Sequence, residues 1–222
     1  MLITLEGIEG AGKTSQLAGI ARFLEERGHR CVVTREPGDT PIGRKIRAIL
    51  LDPENRELVP LSELFLYAAD RAQHLAERVL PALAEGKTVI CDRFHDATRV
   101  YQGAARGIDG DLIDRLNAMV LGDLRPDLTL LFDLPPEVGL ARAWKQLGEG
   151  ERDDRESRFE AEALSFHEKI RAGYLDLAGR EPDRFRIVRA DEELAAVEAQ
   201  VLAILAEAIP EKGDRHGGGG SL

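Results

Sequence analysis

The residues with the clearest chemical meaning form a phosphate-binding loop of the pattern G-x-x-x-x-G-K-[ST] near the N-terminus. Its glycines let main-chain N–H groups turn inward around an anion, because no Cβ atom stands in the way. Its lysine supplies a positive charge for the β- and γ-phosphates of a nucleotide, and its final hydroxyl is a hard oxygen ligand suited to Mg²⁺. The loop consists of Gly7, Ile8, Glu9, Gly10, Ala11, Gly12, Lys13 and Thr14.

The flanking sequence places this loop between a strand and a helix. Residues 2–5 form a short apolar run that is typical of a buried strand. After the loop, Leu17, Ile20 and Leu24 recur at helical spacing, and Gly28 favours the end of a helix. The N–H groups and the dipole at a helix N-terminus attract phosphate. A glycine-rich turn that matches the pattern by chance is the alternative, and this context disfavours it.

Length and composition restrict the class of protein. With 222 residues, 43% apolar and 32% charged, the chain can bury a substantial core in one large or two small domains.

We expect no membrane partner, because no apolar run approaches the roughly 20 residues that cross a bilayer. Glu6 also comes too early for a signal peptide. A net charge of −10 argues against nucleic acid as the main partner. Cys31 and Cys91 lie in apolar runs, so we expect buried free thiols and a cytoplasmic location.

Apolar, β-branched runs alternate with helical patterns along the chain. This alternation predicts an α/β fold, with a five-stranded parallel sheet covered by helices on both faces. Pro81 lies inside one helical pattern and is expected to kink or restart that helix. After the first strand, the predicted strands cover residues 30–34, 88–91, 128–133 and 185–188, and the predicted helices cover about 42–51, 61–84, 111–122, 136–147, 156–179 and 191–208.

Two segments fall outside this alternation. Residues 148–158 have the sequence GEGERDDRESR, without an apolar side chain. They fit either an exposed turn or a short lid hinged at glycines. Residues 212–222 end in a glycine-rich stretch and are expected to be a flexible tail. Because the chain shows no repeat and no clear internal boundary, we expect residues 1–211 to form one domain.

The residues directly after each strand are the best candidates for a site, since ligands of open α/β sheets bind at the carboxyl edge. Asp92 follows one predicted strand, where an acidic residue can hold the metal of a nucleotide directly or through water. With Thr14, it forms the predicted metal site. A helix cap or a turn is the alternative role for this aspartate.

Several motifs occur in the order found in thymidylate kinases. They are residues 34–38 (TREPG), 67–74 (YAADRAQH), 92–94 (DRF), 101–103 (YQG), 106–109 (RGID) and 126–130 (PDLTL). From about residue 2 to about residue 205, the chain therefore resembles this family. Glu9 and the arginine-rich segment 148–158 resemble the bacterial subgroup, in which the lid supplies the catalytic arginine.

The resemblance implies a P-loop NTPase fold and a specific reaction. The γ-phosphoryl group of ATP passes to dTMP and gives dTDP, within dTTP biosynthesis and with Mg²⁺ as cofactor. The resemblance also implies a homodimer, formed through apolar helix faces around residues 42–84.

The same resemblance implies roles for single residues. Arg93 and Arg47 correspond to arginines that hold the acceptor phosphate, and Arg71 and Gln102 correspond to residues that meet the thymine edge. The remaining implied contacts are Tyr67 stacked on the base, Tyr101 against the sugar, Glu9 at the 3′-hydroxyl, Glu36 in the acceptor site, Thr98 as a hydroxyl near the base, and Arg142 over adenine.

The predicted catalytic residues include arginines of the lid. Arg152 or Arg155 is expected to reach the transferred phosphoryl group, while Arg158, ahead of Phe-Glu as in the family, is expected to support lid closure. The other members of the predicted catalytic set are Lys13, Asp92 and Arg93.

The chain departs from the family pattern at two positions near the acceptor. Asp39 stands where a second glycine is usual, and Ala97 stands where serine is common. Neither change removes a phosphate-binding group, so both bear on acceptor affinity rather than on the type of reaction.

Other interpretations fit part of the pattern. The chain could phosphorylate another nucleoside monophosphate or a small metabolite, or it could be a nucleotide-dependent switch that needs no pyrimidine pocket. Among single residues, Tyr67 could be ordinary core, Arg47 could lie on the surface, and Arg142 could pair with a neighbouring helix.

Overall fold

Five parallel strands form one sheet in the order β2-β3-β1-β4-β5. The computed structural model describes residues 1–150 and 153–211. All five predicted strands are confirmed, each within one residue of its predicted bounds. The strands are β1 (Leu2–Glu6), β2 (Cys31–Arg35), β3 (Thr88–Asp92), β4 (Leu128–Asp133) and β5 (Phe185–Arg189).

Helices cover both faces of this sheet, as predicted. Leu2 of β1 packs in one apolar cluster with Leu75 and Val79, whereas its neighbour Ile3 packs in the other cluster with Ile20. Because successive residues of a strand point to opposite faces, these two clusters lie on opposite sides of the sheet. The helices are α1 (Lys13–Glu26), α2 (Pro41–Leu51), α3 (Pro60–His74), α4 (Leu80–Ala84), α5 (His95–Thr98), α6 (Gly110–Leu121), α7 (Pro136–Gly148), α8 (Leu164–Arg180) and α9 (Leu194–Ala208).

The predicted interruption at Pro81 is confirmed. A π-helical turn at Leu75–Val79 separates α3 from α4. Pro81 then lies in the first turn of α4, where a missing N–H leaves no helical hydrogen bond unmade.

Two predictions about helices are wrong. The helix expected from residue 156 begins only at Leu164, after a 3₁₀ turn at Asp154–Glu156 and a run of irregular turns. The main-chain N–H of Arg158 bonds to the carbonyl of Leu51, a tertiary contact that replaces a helical bond. The sequence pattern also failed to predict α5 and the π-helical segment Arg99–Ala105 that follows it.

The carboxyl ends of β1, β2 and β3 meet at one edge. Leu5 of β1 and Arg35 of β2 both pair with Asp92 of β3. The loop after β1 therefore lies beside the residues that follow β2 and β3, at the crevice where strand order reverses.

Two further expectations concern the cysteines and the membrane. Cys31 and Cys91 form no disulfide with each other, and Cys91 is buried as predicted, whereas Cys31 is only partly buried. Among the residues described, every helix is too short or too polar to cross a bilayer.

Candidate active site

The phosphate-binding loop leaves β1 and ends at the N-terminus of α1. Gly10 and Gly12 adopt left-handed backbone conformations, with φ of 68° and 80°. A Cβ on Gly10 would lie 1.9 Å from the carbonyl oxygen of Gly139 in α7. The loop can therefore pack against this helix only with glycine at that position.

Lys13 is buried beneath the loop. Its Nζ donates to the carbonyl oxygens of Gly7 at 3.0 Å and Ile8 at 2.8 Å. Burial, together with the nearby Arg93, lowers the pKa of Lys13 to about 8. A phosphate in the loop would add a negative charge next to this ammonium group and favour its charged form.

Thr14 and Asp92 place two oxygen ligands side by side. The Thr14 hydroxyl donates to Oδ2 of Asp92 at 2.8 Å. Octahedral Mg²⁺ holds oxygen ligands at about 2.0–2.1 Å, which puts neighbouring ligands about 2.9 Å apart. The two predicted metal residues therefore fit adjacent positions around Mg²⁺. No cluster of three or more acidic, histidine or cysteine ligands occurs in the described part of the chain, so phosphate and water would have to complete the set.

A cavity of about 690 Å³ lies over the carboxyl edge and falls within the size range of small-molecule sites. It extends from the loop to α3 and to residues 153–160. The loop and the predicted acceptor residues therefore share one space. The predicted residues that line it are Glu9, Gly10, Ala11, Gly12, Lys13, Thr14, Glu36, Arg47, Tyr67, Arg71, Asp92, Arg93, Thr98, Tyr101 and Gln102.

Arg93 connects the end of β3 to the loop. Its Nη1 donates to the carbonyl of Gly7 at 2.8 Å, and its Nη2 donates to Oε1 of Glu9 at 3.0 Å. The Tyr101 hydroxyl donates to the same Oε1 at 2.6 Å, and the Tyr101 ring lies 5.0 Å from the guanidinium. Burial alone would raise the pKa of Glu9, but Arg93, His167 and Tyr101 hold it below its usual range. Glu9 is thus a buried carboxylate inside the cavity.

Glu36, directly after β2, holds Arg71 in place. Its Oε2 accepts from Nε of Arg71 and its Oε1 accepts from Nδ1 of His74, both at 2.8 Å. With its proton on Nδ1, His74 can accept the Thr34 hydroxyl at Nε2. Burial acts to raise the pKa of Glu36, but Arg71 and His74 outweigh it, so this pKa is lowered.

The Arg71 guanidinium is 2% exposed, and most of its donors are satisfied inside the protein. Besides Glu36, it donates to the Thr98 hydroxyl at 3.0 Å and to oxygens of Phe94 and Asn117 at 3.3 Å each. A guanidinium has five N–H donors. Four are therefore used by described residues, which leaves one Nη1 hydrogen for a ligand.

Arg47 on α2 is paired with the lid segment. Its Nε and Nη2 donate to the two carboxylate oxygens of Glu156 at 2.8 and 2.7 Å. Its Nη1 donates to the carbonyl of Pro37 at 2.9 Å. The predicted phosphate ligand therefore holds a carboxylate in a two-bond arrangement, and that geometry also suits a phosphate.

Glu63 of α3 is a buried acid that links several cationic side chains. Its Oε1 accepts from the Gln102 amide at 2.8 Å, and Arg106 approaches both of its oxygens at 3.4 Å. Its Oε2 accepts from Arg158, whose Nε bonds to the carbonyl of Leu50. This carboxylate thus orients the Gln102 amide and holds Arg158 in the protein interior.

Several predicted residues lie away from the cavity. Arg158 is buried against Glu63, and the Arg155 side chain is 87% exposed and pairs with Asp153. Arg142 donates to the carbonyl of Ala190 at 2.7 Å, not to a neighbouring helix. Arg152 and the tail 212–222 lie outside the described residues. Gly7 and Ile8 do not line the cavity, although their carbonyls receive Lys13.

Sequence reasoning missed the acidic and aromatic partners of the predicted residues. Glu63 gave one usable signal, because it stands next to Leu64 on the buried face of an amphipathic helix. His74 lies inside the motif at residues 67–74 but was not singled out. Glu6, Glu156 and Tyr174 carried no local signal.

Comparisons with known proteins agree with this geometry. A family model described as thymidylate kinase matches residues 5–201. The thymidylate kinase of Desulfosudis oleivorans is 57% identical over 211 residues, covering 95% of this chain and 98% of the relative. That of Geobacter sulfurreducens is 53% identical over 210 residues, with the same coverage. The crystal structure of thymidylate kinase from Ehrlichia chaffeensis is 34% identical in sequence to this chain and has a TM-score of 0.71. The match covers 92% of this chain and 98% of that chain. This structural similarity confirms the P-loop NTPase fold. The chain therefore belongs to the thymidylate kinase family.

Proposed function

We propose that this protein transfers the γ-phosphoryl group of ATP to dTMP, giving dTDP for dTTP synthesis. Family membership supports an ATP-dependent nucleotide kinase. The observation that carries the proposal is the shared cavity, which Lys13 lines together with Arg47, Arg71 and Arg93. Phosphoryl transfer needs little covalent help, so a protein accelerates it by aligning two anions and by stabilising the charge between them.

On the donor side, the loop provides inward-facing N–H groups and the Lys13 ammonium for the β- and γ-phosphates. When phosphate binds, Lys13 exchanges its bonds to the loop carbonyls for charge-assisted bonds to phosphate oxygens. The Arg142 guanidinium is proposed to lie over adenine. It donates a hydrogen bond to the Ala190 carbonyl in this structure.

Thr14 and Asp92 are the residues that would hold Mg²⁺. An ion held there would neutralise part of the charge of the phosphates. The Thr14 hydroxyl donates to the Asp92 carboxylate, so the two oxygen ligands already lie side by side.

On the acceptor side, Arg93 and Arg47 are proposed to bind the dTMP phosphate. Arg93 already reaches the loop, which brings the acceptor phosphate close to the donor. Glu9 lies between Arg93 and Tyr101, where its carboxylate can accept a hydroxyl of the sugar while Tyr101 packs against it.

The thymine base is proposed to lie between α3 and the π-helical segment. Arg71 has one remaining N–H for a base carbonyl, and its orientation depends on Glu36 and Thr98. The Gln102 amide is fixed by Glu63, so its carbonyl can accept the imide N–H. Tyr67 lines the same cavity and offers a ring for stacking.

The lid assignments remain predictions. Arg155 is exposed and therefore able to swing towards ATP when the segment closes. Arg152 remains the other candidate for the catalytic arginine. Arg158 supports closure through its ion pair with Glu63, which ties the C-terminal end of the lid to α3.

An ADP-release assay with an acceptor panel tests the proposal. With ATP and Mg²⁺, dTMP should be turned over far faster than dCMP, AMP or shikimate. Comparable turnover of another acceptor would favour the alternative kinase. ADP release that no acceptor stimulates would favour a nucleotide-dependent switch.

We also propose that residues 1–211 form one domain and that the protein is a cytoplasmic homodimer without nucleic-acid or membrane partners. Apolar side chains on α2, α3 and the segment between them support the dimer, since they are 45–57% exposed in the single chain. Analytical ultracentrifugation should show a dimer, and Phe65→Arg should convert it to a monomer. The exposed apolar residues are Ile42, Ile49, Val59, Leu61 and Phe65.

A further inference from the structure

Arg93 has an unusual backbone. Among the residues described, it is the one non-glycine residue with a positive φ, at 66°. A side chain in the left-handed region is strained, and such a conformation persists only where the surroundings impose it. The hydrogen bonds around Arg93 therefore show what imposes it.

Two bonds fix the main chain on either side of the strain. The N–H of Arg93 donates to the carbonyl of Leu5 at 2.9 Å. The N–H of the next residue, Phe94, donates to Oε1 of Glu6 at 2.8 Å. The last residue of β1 thus anchors the turn that follows β3.

A second set of bonds fixes the guanidinium. The Tyr174 hydroxyl, on α8, donates to Oε2 of Glu6 at 2.7 Å. The same hydroxyl oxygen accepts from Nη1 of Arg93 at 3.4 Å. Glu6 therefore has a direct hydrogen bond to the backbone after Arg93. Through the Tyr174 hydroxyl, it is also linked to the Arg93 side chain.

Neither partner can touch a substrate. Glu6 is 0% exposed and Tyr174 is 1% exposed. Neither belongs to the described residues that line the cavity. Among the residues that line the cavity, their hydrogen bonds reach Arg93 and Phe94, so these bonds can affect the reaction through this turn.

We propose that Glu6 and Tyr174 are positioning residues that hold Arg93 in its strained conformation and aim its guanidinium at the acceptor phosphate. The inference rests on the proposed function, because it takes Arg93 as a ligand of the dTMP phosphate. Without this support, the turn relaxes towards ordinary backbone geometry and the guanidinium leaves its place beside Glu9.

The ionisation of Glu6 gives the arrangement a pH dependence. Both carboxylate oxygens accept hydrogen bonds, which a protonated carboxyl group cannot do equally well. Burial, with Asp96 nearby, raises the pKa of Glu6 to about 7. The titratable and charged groups that face Glu6 are Asp96 of α5, Cys91 and Arg93 at the end of β3, Lys13 of α1 and Tyr174 of α8.

Tyr174→Phe is the main test, because it removes only the hydroxyl. The KM for dTMP should rise about fivefold to tenfold, the scale of one lost hydrogen bond, while the KM for ATP changes less than about twofold. Thr4→Val is the matched control. It removes a buried 2.8 Å hydroxyl bond to Thr129 that makes no direct contact with Arg93, Glu6 or Tyr174, so it should lower Tm without changing either KM.

Glu6→Gln adds a readout that a purely structural role would not move. The ratio of its KM for dTMP to that of the wild-type enzyme should be largest near about pH 8 and should fall towards one near about pH 6, as wild-type Glu6 is protonated. The dTMP phosphate also titrates in this pH range, but its effect on KM is the same for both enzymes and therefore cancels in the ratio of the two KM values. A wild-type KM in Tyr174→Phe, or a ratio that stays constant with pH, would overturn the proposal. Both results presuppose an active wild-type kinase, so they are distinguishable from failure of the proposed function.

Discussion

The ion pair between Arg47 and Glu156 predicts that a lid carboxylate competes with the acceptor. Glu156 fills the two-bond fork of Arg47, so the dTMP phosphate must displace it to use that arginine. Glu156→Gln keeps the size of the side chain and removes its charge. We therefore expect the variant to bind dTMP more tightly than the wild-type enzyme.

The magnitude follows from the geometry of the pair. Exposed ion pairs contribute about 0.2–1 kcal/mol, and a hydrogen bond to a charged group contributes about 1.5–3 kcal/mol. The side chains are 16% and 32% exposed, so solvent screens part of the attraction. We take about 1 kcal/mol, which corresponds to about a fivefold change in Kd.

Isothermal titration calorimetry of dTMP binding, without ATP, measures this change directly. Asp153→Asn is the matched control, because Asp153 also lines the cavity but pairs with Arg155. Asparagine caps a helical turn as well as aspartate does. The control should change Kd by less than about twofold. If Glu156→Gln binds dTMP no more tightly than the wild-type enzyme, the competition is refuted. If Asp153→Asn gains as much dTMP affinity as Glu156→Gln, the effect is one of general charge and not of the ion pair.

Three further predictions concern catalysis, stability and pH. Lys13→Ala should lower kcat by about 100- to 1,000-fold with cooperative melting retained, because it removes transition-state charge stabilisation; a near-normal kcat would contradict that role. Glu63→Ala should cost about 3–5 kcal/mol in urea denaturation, because it leaves Arg158 buried without its partner, whereas the exposed Glu57→Ala should cost less than about 0.5 kcal/mol. Burial raises the pKa of Asp70 from 3.8 to about 6. The folded protein therefore keeps a proton that the unfolded chain has released, so wild-type stability should fall relative to Asp70→Asn as the pH rises from about 4 to about 6. If the difference in unfolding free energy between the wild-type protein and Asp70→Asn, measured by urea denaturation, stays constant across that pH range, this prediction is contradicted.

The parts of the fold that could be predicted are those that local sequence determines. The central strands β1, β3 and β4 are short apolar runs, and their burial on both faces leaves little choice of residue type. The loop at residues 7–14 has a fixed pattern, and Asp92 and Arg93 follow a strand whose end must lie at the carboxyl edge. These residues meet in one cavity because the order of strands brings β1, β2 and β3 together.

The parts that could not be predicted depend on contacts between distant segments. Arg47 and Glu156 are 109 residues apart, and Arg158 and Glu63 are 95 apart, so no local pattern pairs them. The irregular segment before α8 is held by such contacts, which is why a helical pattern from residue 156 was misleading. The π-helical segment Arg99–Ala105 carries Tyr101, yet its hydrogen-bond spacing differs from the periodicity that identifies an α-helix.

The most direct test of the central claim is to follow the γ-phosphate itself. The wild-type protein is incubated with Mg²⁺, ATP labelled in its γ-phosphate, and dTMP. If the loop and the arginine pocket hold donor and acceptor in one cavity, the label should appear in dTDP in an amount equal to the ADP formed. Label that appears as inorganic phosphate at a rate independent of dTMP would contradict the account.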